Sequence, residues 1–238
     1  RTRVTGNIKF DIELPADLVA RGDDMRLQVF GDRPVWIAAS THDQEEQQVL
    51  EAHRQLREEH PELLLVLVPR HPERFSQVRD LVRRFGFSCV ARTEKRRCTA
   101  ATEVFLGDTM GEVPLFYAAS DIAFVGGSLT PVGGHNLLEP AAQGLPIVTG
   151  QHLFNAQDIA DLLIDLGGCR RVSGPSDLAD VVSELLNEPD EAARLGLEAG
   201  RHHASFDGGG ELFERPDRGQ LEHHDPRAAR RGKEPGRA

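Results

Sequence analysis

The chain has 238 residues, 39% of them hydrophobic, which is enough for one large or two small domains with a real core. Lys and Arg number 28 against 38 Asp and Glu, giving a net charge of -10, and this argues against nucleic acid as the main partner, because phosphate binding wants a basic face. No apolar run reaches the length of a membrane span, no signal peptide is visible, and Cys89, Cys98 and Cys169 share no metal-ligand spacing, which suits free thiols in a reducing compartment.

Residues 1–28 read as an end and a connector. Val4–Asp11 fits a strand edge and turn, and the stretch after Pro15 is polar and short of apolar periodicity. Arg1 is not preceded by an initiator Met, so the chain is expected to be a fragment. Pro34–Ser40 is a strand apolar on both faces, as a central parallel strand should be. Asp43 is expected to cap the next helix, with Glu46 completing a capping box and Val49, Leu50 and Leu56 facing inward. That helix runs to about His60, and Leu63–Val68 is the second buried strand. Pro69, Arg70 and His71 follow directly, and Pro72 suits a first helical position. Phe75, Val78, Leu81, Val82 and Phe85 recur at helical spacing before Gly86. Phe87–Ala91 and Glu103–Leu106 are the third and fourth strands, with a polar, basic loop between them. Gly107–Glu112 leads to a short helix over Val113–Ala119, and the fifth strand ends at Val125.

The stretch from Phe124 to Leu153 organises the rest. It reads as a strand, a loop with Gly126, Gly127, Gly133 and Gly134, a helix from about Asn136 to Gln143, a left-handed stop at Gly144 and a strand from Pro146. Bare glycine backbone lets a ligand approach, and its N–H groups with the following helix N-terminus favour an anion such as phosphate. Glu139, one turn inside, can accept paired hydroxyl hydrogen bonds such as a ribose offers. The same spacing also arises from packing alone in α/β proteins, so the motif by itself leaves both readings open.

Helices are expected over Asn155–Leu166, Ser176–Leu186 and from Glu191 to about His202, with a short strand over Cys169–Val172. Strand and helix alternate throughout, the pattern of a doubly wound parallel sheet, whose ligands bind at the carboxyl ends of the strands. Three segments fall at such ends: PRH, GDTMGE and GGHNLLE. The tail over residues 207–238 carries as many basic as acidic residues and almost no apolar ones, so it is expected to be disordered.

WIAASTH, LVPRHPERF, GDTMGE, FVGGSLTPVGGHNLLEPAA and GQHLFNAQDI occur in one order. Together they resemble the C-terminal half of the 3-deoxy-D-manno-octulosonic acid (Kdo) transferases of lipopolysaccharide synthesis, over roughly residues 1–206. The resemblance implies a Rossmann-like parallel sheet with helices on both faces, the C-terminal domain of a two-domain, GT-B type glycosyltransferase. It implies residues 1–28 as the end of a missing N-terminal domain plus connector, and 29–206 as the domain that binds CMP-Kdo. The reaction it implies is Kdo transfer from CMP-Kdo to the lipid A precursor, at the cytoplasmic face of the bacterial inner membrane. Acceptor, membrane association and general base are assigned by the resemblance to the N-terminal half. This chain is then expected to be soluble and inactive alone, with no catalytic residue, metal or cofactor of its own.

Carried over, the CMP contacts fall on Pro69 and Arg70, on Gly111, Glu112 and Val113, and on Asn136, Leu137, Leu138 and Glu139. Arg70 suits a phosphate or the Kdo carboxylate by a charge-assisted fork. Gly111–Val113 suit the cytosine edge through backbone groups. Asn136 suits a helix cap beside the phosphate. Leu137 and Leu138 suit backbone or packing roles. His135 is open between a phosphate contact and a structural role, and Ser40, Thr41 and His42 between helix entry and the donor sugar. Two alternatives stay open: a non-catalytic nucleotide-binding fragment, and another nucleotide-sugar transferase or epimerase of the same fold.

Overall fold

The computed structural model describes residues 14–206. The strand edge expected over Val4–Asp11 and the tail from Asp207 lie outside them. Seven parallel strands form one sheet in the order β3-β4-β2-β1-β5-β6-β7. They are β1 Val35–Thr41, β2 Leu64–Pro69, β3 Cys89–Ala91, β4 Val104–Leu106, β5 Ile122–Val125, β6 Ile147–Thr149 and β7 Cys169–Arg171. The helices are α1 Leu18–Met25, α2 Glu45–Glu59, α3 Phe75–Arg84, α4 Val113–Ala118, α5 Leu138–Ala141, α6 Gln157–Asp165, α7 Pro175–Asn187 and α8 Pro189–Phe206.

The period of two along β1 divides the core. Trp36 and Ala38 face α2, α3 and α7, whereas Val35, Ile37 and Ala39 face α1 and α4. Both faces of the strand are therefore apolar, and a slip of one residue would exchange them. A third cluster joins Val125, Ile147 and Cys169 to α6 and α8. The strand order reverses at β1, which pairs with β2 on one side and β5 on the other. Such a reversal opens a crevice beyond the carboxyl ends of the strands.

Two readings of the sequence are corrected here. The stretch after Pro15, expected to be a connector up to Gln28, instead forms α1 followed by a π-helical turn over Arg26–Phe30. The buried stripe of α1 is Leu18, Gly22 and Met25. Its middle member is a glycine because a Cβ there would lie 2.5 Å from Ala118 Cβ. A stripe with glycine at its centre has little apolar signal to read. Arg26 ties the turn to the sheet, donating to Ala119 O at 3.1 Å and Asp121 Oδ1 at 2.9 Å.

The second correction is the capping box. Helix α2 starts at Glu45 after Gln44, which is left-handed at φ 65°, and no side chain caps it. Asp43 instead pairs with Arg74 at 3.0 Å, and buried Glu46 pairs with the same guanidinium at 3.0 Å. The late start brings Glu45 under the glycine-rich loop.

Candidate functional site

The crevice is built by the ends of β1, β2 and β5. Strand β1 bulges between Ala39 and Thr41, with Ser40 left-handed at φ 57°. Bulges of this kind turn a strand end out of the pleat and re-aim its side chains. Here the bulge delivers His42 to the crevice while the β2 end stays joined, Arg70 N–H donating to Thr41 O at 2.9 Å.

The first part of the glycine-rich loop wraps a carboxylate of the protein itself. Glu45 is fully buried. Its Oε2 accepts from Gly127 N–H at 2.7 Å and His42 N–H at 3.1 Å, and its Oε1 from the N–H groups of Ser128 and Leu129, each at 2.9 Å. A Cβ on Gly126 would sit 2.7 Å from Oε2, so this approach needs glycine. The expectation that these N–H groups greet an external anion is overturned, because Glu45 already occupies them.

The second part is built differently. Gly133 and Gly134, both at positive φ, donate to Gly127 O at 3.1 and 2.7 Å, which folds the loop back on itself. Among the described residues the next N–H groups, those of His135, Asn136 and Leu137, have no such partner. Asn136 Oδ1 accepts from Leu138 N–H at 3.0 Å, so Asn136 does cap the helix. The helix is shorter than expected, Leu138–Ala141 rather than 136–143. The Asn136 side chain takes the N–H of Leu138 at one end, and at the other Gln143 N–H and Leu145 N–H both turn back to Pro140 O at 3.1 Å, which closes the helix. Gly144 ends the segment at φ 62°, as expected of a left-handed stop.

Glu139 therefore lies in the first turn. Burial raises its carboxyl above the ordinary carboxylate range, while the Asn136 hydrogen bond and the Arg70 charge pull it back. Arg70 itself is exposed, with no side-chain partner among the described residues. Leu137 and Leu138 are fully buried, in keeping with packing roles, and Pro69 is the buried last residue of β2.

Two histidines meet at the centre of the crevice. His42 and His135 place their Nε2 atoms 2.7 Å apart. Their rings are parallel within 7° with centroids 4.9 Å apart, so they lie end to end with one proton between them. His71 packs edge-on against His42 at 5.2 Å. Burial lowers both members of the pair, His135 to about 4.

The loop Gly107–Glu112 forms the far wall. It is held by side chains from the turn after β3. Arg92 forks onto Glu112 with bonds of 2.7 and 3.0 Å, and Thr93 donates to Asp108 through N–H at 2.9 Å and Oγ1 at 2.6 Å. The fork holds the Glu112 carboxyl below its usual range. Gly111 is left-handed at φ 77°, and Val113 is half-buried at the start of α4. Glu112 is thus committed to Arg92, leaving the backbone of Gly111–Val113 as the group this loop can present. A cavity of about 710 Å³ opens behind the fork, lined by Arg92, Lys95, Thr109 and Glu112 among others.

The fold brings Arg70, His42, His135, Asn136 and Glu139 to neighbouring strand ends. Sequence reasoning missed Glu45 and Arg92. Glu45 carried one signal, an acid four residues beyond a strand end in a chain with two adjacent glycines. Arg92 carried none beyond its place in a basic loop.

No protein-family model matches the chain. It is 45% identical over 197 residues to the 3-deoxy-D-manno-octulosonic acid transferase of Haemophilus influenzae, covering 82% of this chain and 46% of that protein. To the enzyme of that name from Bordetella pertussis it is 37% identical over 201 residues, covering 80% and 46%. The chain thus spans about half the length of the curated relatives it matches. Among solved structures, it superposes on the C-terminal CMP-Kdo binding domain of WaaA from Acinetobacter baumannii with a TM-score of 0.75 and 35% identity, covering 79% of this chain and 98% of that domain. Anabaena Alr3699/HepE in complex with UDP and glucose is similar at a TM-score of 0.59 and 14% identity, covering 84% of this chain and 50% of that one, a likeness of fold alone.

Proposed function

We propose a donor-binding role from a plain premise: the chain belongs to the 3-deoxy-D-manno-octulosonic acid transferase family, as the C-terminal domain of its two-domain GT-B architecture. In this reading the crevice holds CMP-Kdo. Glu139 accepts the ribose hydroxyls, and Arg70 forks onto the phosphate or the Kdo carboxylate. The N–H groups ahead of α5 face the phosphate, and the backbone of Gly111, Glu112 and Val113 reads the cytosine edge. Asn136 fixes the turn, Leu137 and Leu138 anchor it in the core, and Pro69 ends β2 so that Arg70 emerges at the crevice.

The reaction is attack by an acceptor hydroxyl on the anomeric carbon of Kdo. The bond from that carbon to the CMP phosphate oxygen breaks, and its electron pair leaves with CMP. The part of this domain is to stabilise the departing negative charge with fixed donors and a cation. The acceptor is the lipid A precursor, at the cytoplasmic face of the inner membrane, and the general base comes from an N-terminal domain. What supports the reading is the meeting of an unpaired arginine, open N–H groups and a half-buried carboxylate at the strand-order reversal.

Calorimetry with CMP and UDP tests it. CMP is expected to bind and UDP to bind at least about tenfold more weakly, a gap of 1.4 kcal/mol. Arg70→Ala should weaken CMP by about 1.5–3 kcal/mol, the scale of a charged hydrogen bond. Equal affinity for both nucleotides, or no CMP binding, would overturn the assignment. A transfer assay with CMP-Kdo should show no turnover by this chain alone, and turnover once an N-terminal domain is joined to it.

A further inference from the structure

We propose that His42 and His135 act as one proton-sharing anion site, which takes up a proton from solvent when the phosphoryl group of the nucleotide docks. The inference rests on the donor-binding reading and adds a chemical role that the nucleotide contacts do not contain.

The geometry carries it. A contact of 2.7 Å between two Nε2 atoms requires one ring to donate and the other to accept. The donating ring then has a bare Nδ1 while both rings are neutral. That nitrogen is where an added proton binds, turning the pair into an imidazole–imidazolium unit with a cationic N–H to offer. The loop is shaped to hold the pair: a Cβ on Gly127 would lie 2.8 Å from His135 Cδ2 and 3.5 Å from His42 Cδ2. Gly127 is in turn anchored by Glu45, so one buried carboxylate fixes the backbone on which both rings rest.

The surroundings set the direction. On His42 burial opposes a proton first; Glu45 favours one, and His71, Arg70 and Arg74 oppose it. On His135, burial opposes a proton first, followed by His42, Arg70 and His71. Glu139 faces the same crevice from α5 and is itself held toward its neutral form. The free pair is therefore neutral near neutral pH. A phosphate dianion beside it reverses the balance, since an opposite charge within a few ångströms favours the charged form. The proton gained stays with the pair, lies against the charge that develops on the leaving phosphate, and returns to solvent when CMP departs.

Calorimetry of the 238-residue chain with CMP, in buffers of different ionisation enthalpy, reads the proton directly. It is best done at about pH 7.5, above the second phosphate pKa of about 6. The expected result is uptake approaching one proton per CMP, and none with cytidine, which lacks the phosphate. His135→Gln and, separately, His42→Gln should each abolish the uptake and weaken CMP about tenfold while leaving cytidine affinity unchanged. Two variants guard against one failing to fold. CMP binding with no uptake overturns the inference and leaves the donor reading standing. Uptake that survives in both variants also overturns it, because the proton then resides on the phosphate. Absence of CMP binding overturns the donor reading and this inference together.

Discussion

The two parts of the glycine-rich loop each begin with a glycine pair, Gly126–Gly127 and Gly133–Gly134, yet their N–H groups are used differently. Over Gly126–Leu129 the N–H groups are closed on the buried carboxylate of Glu45. Over His135–Leu137 they have no hydrogen-bond partner among the described residues. A row of glycines is therefore not in itself a phosphate cradle. What decides is whether the protein has already supplied the anion. The internal carboxylate pins three N–H groups of the first part together with that of His42.

The strongest test of this contrast is to remove the internal anion. Glu45→Gln keeps the shape but presents an NH₂ group to N–H donors that need an acceptor. A buried donor left unsatisfied costs about 1–3 kcal/mol, and one end of the carboxylate serves two donors, so a loss of about 3 kcal/mol or more is expected in denaturant unfolding. A variant within 0.5 kcal/mol of the parent, the range of ordinary surface changes, would mean the loop does not depend on Glu45.

The next test falls on the open part. If Glu139 binds ribose, Glu139→Gln should weaken CMP by about 1–3 kcal/mol and weaken 2′,3′-dideoxy-CMP much less, because the hydroxyl partners are absent. Equal losses for the two nucleotides in calorimetry would reject the ribose role. Asn136→Ala removes the cap on Leu138 N–H, and about 1 kcal/mol of stability should go with it. Because the cap also sets the open N–H groups, CMP affinity should fall alongside; unchanged affinity would separate the cap from the site.

The contrast also explains what the sequence could and could not reveal. The strands were legible because β1 and β2 are apolar on both faces, and no partner was needed to recognise them. The helix after Pro72 was legible because its stripe of Val78, Leu81 and Val82 is unbroken. Helix α1 was not, because Gly22 stands where an apolar side chain would have marked the buried face. The capping box over Asp43 and Glu46 was a sound local pattern that lost to Arg74, a residue some thirty positions away that no local rule can see. Arg70, Asn136 and Glu139 were legible as residues at strand ends. The closure of Gly126–Leu129 on Glu45 was not, because it depends on the bulge at Ser40, whose left-handed φ has no glycine to announce it.

The smallest expected effect is a pH dependence of stability, and it separates the two roles open to Glu139. Burial holds the folded carboxyl above its ordinary value of 4.5. The folded state therefore keeps a proton that the unfolded chain has released, and stability falls as pH rises from 4.5 through the folded value, then levels off. Glu139→Gln resembles the protonated form at every pH and lacks this loss. The variant should melt with the parent in the acid, before the unfolded carboxyl ionises, and slightly above it at neutral pH, although it binds CMP more weakly. A carboxylate kept for helix stability would behave in the opposite way, since a negative charge in the first turn interacts favourably with the helix dipole and its loss would lower the melting temperature at neutral pH. The sign of the difference in Tm at neutral pH thus decides between a residue placed for the helix and one held at a cost in stability for a ligand.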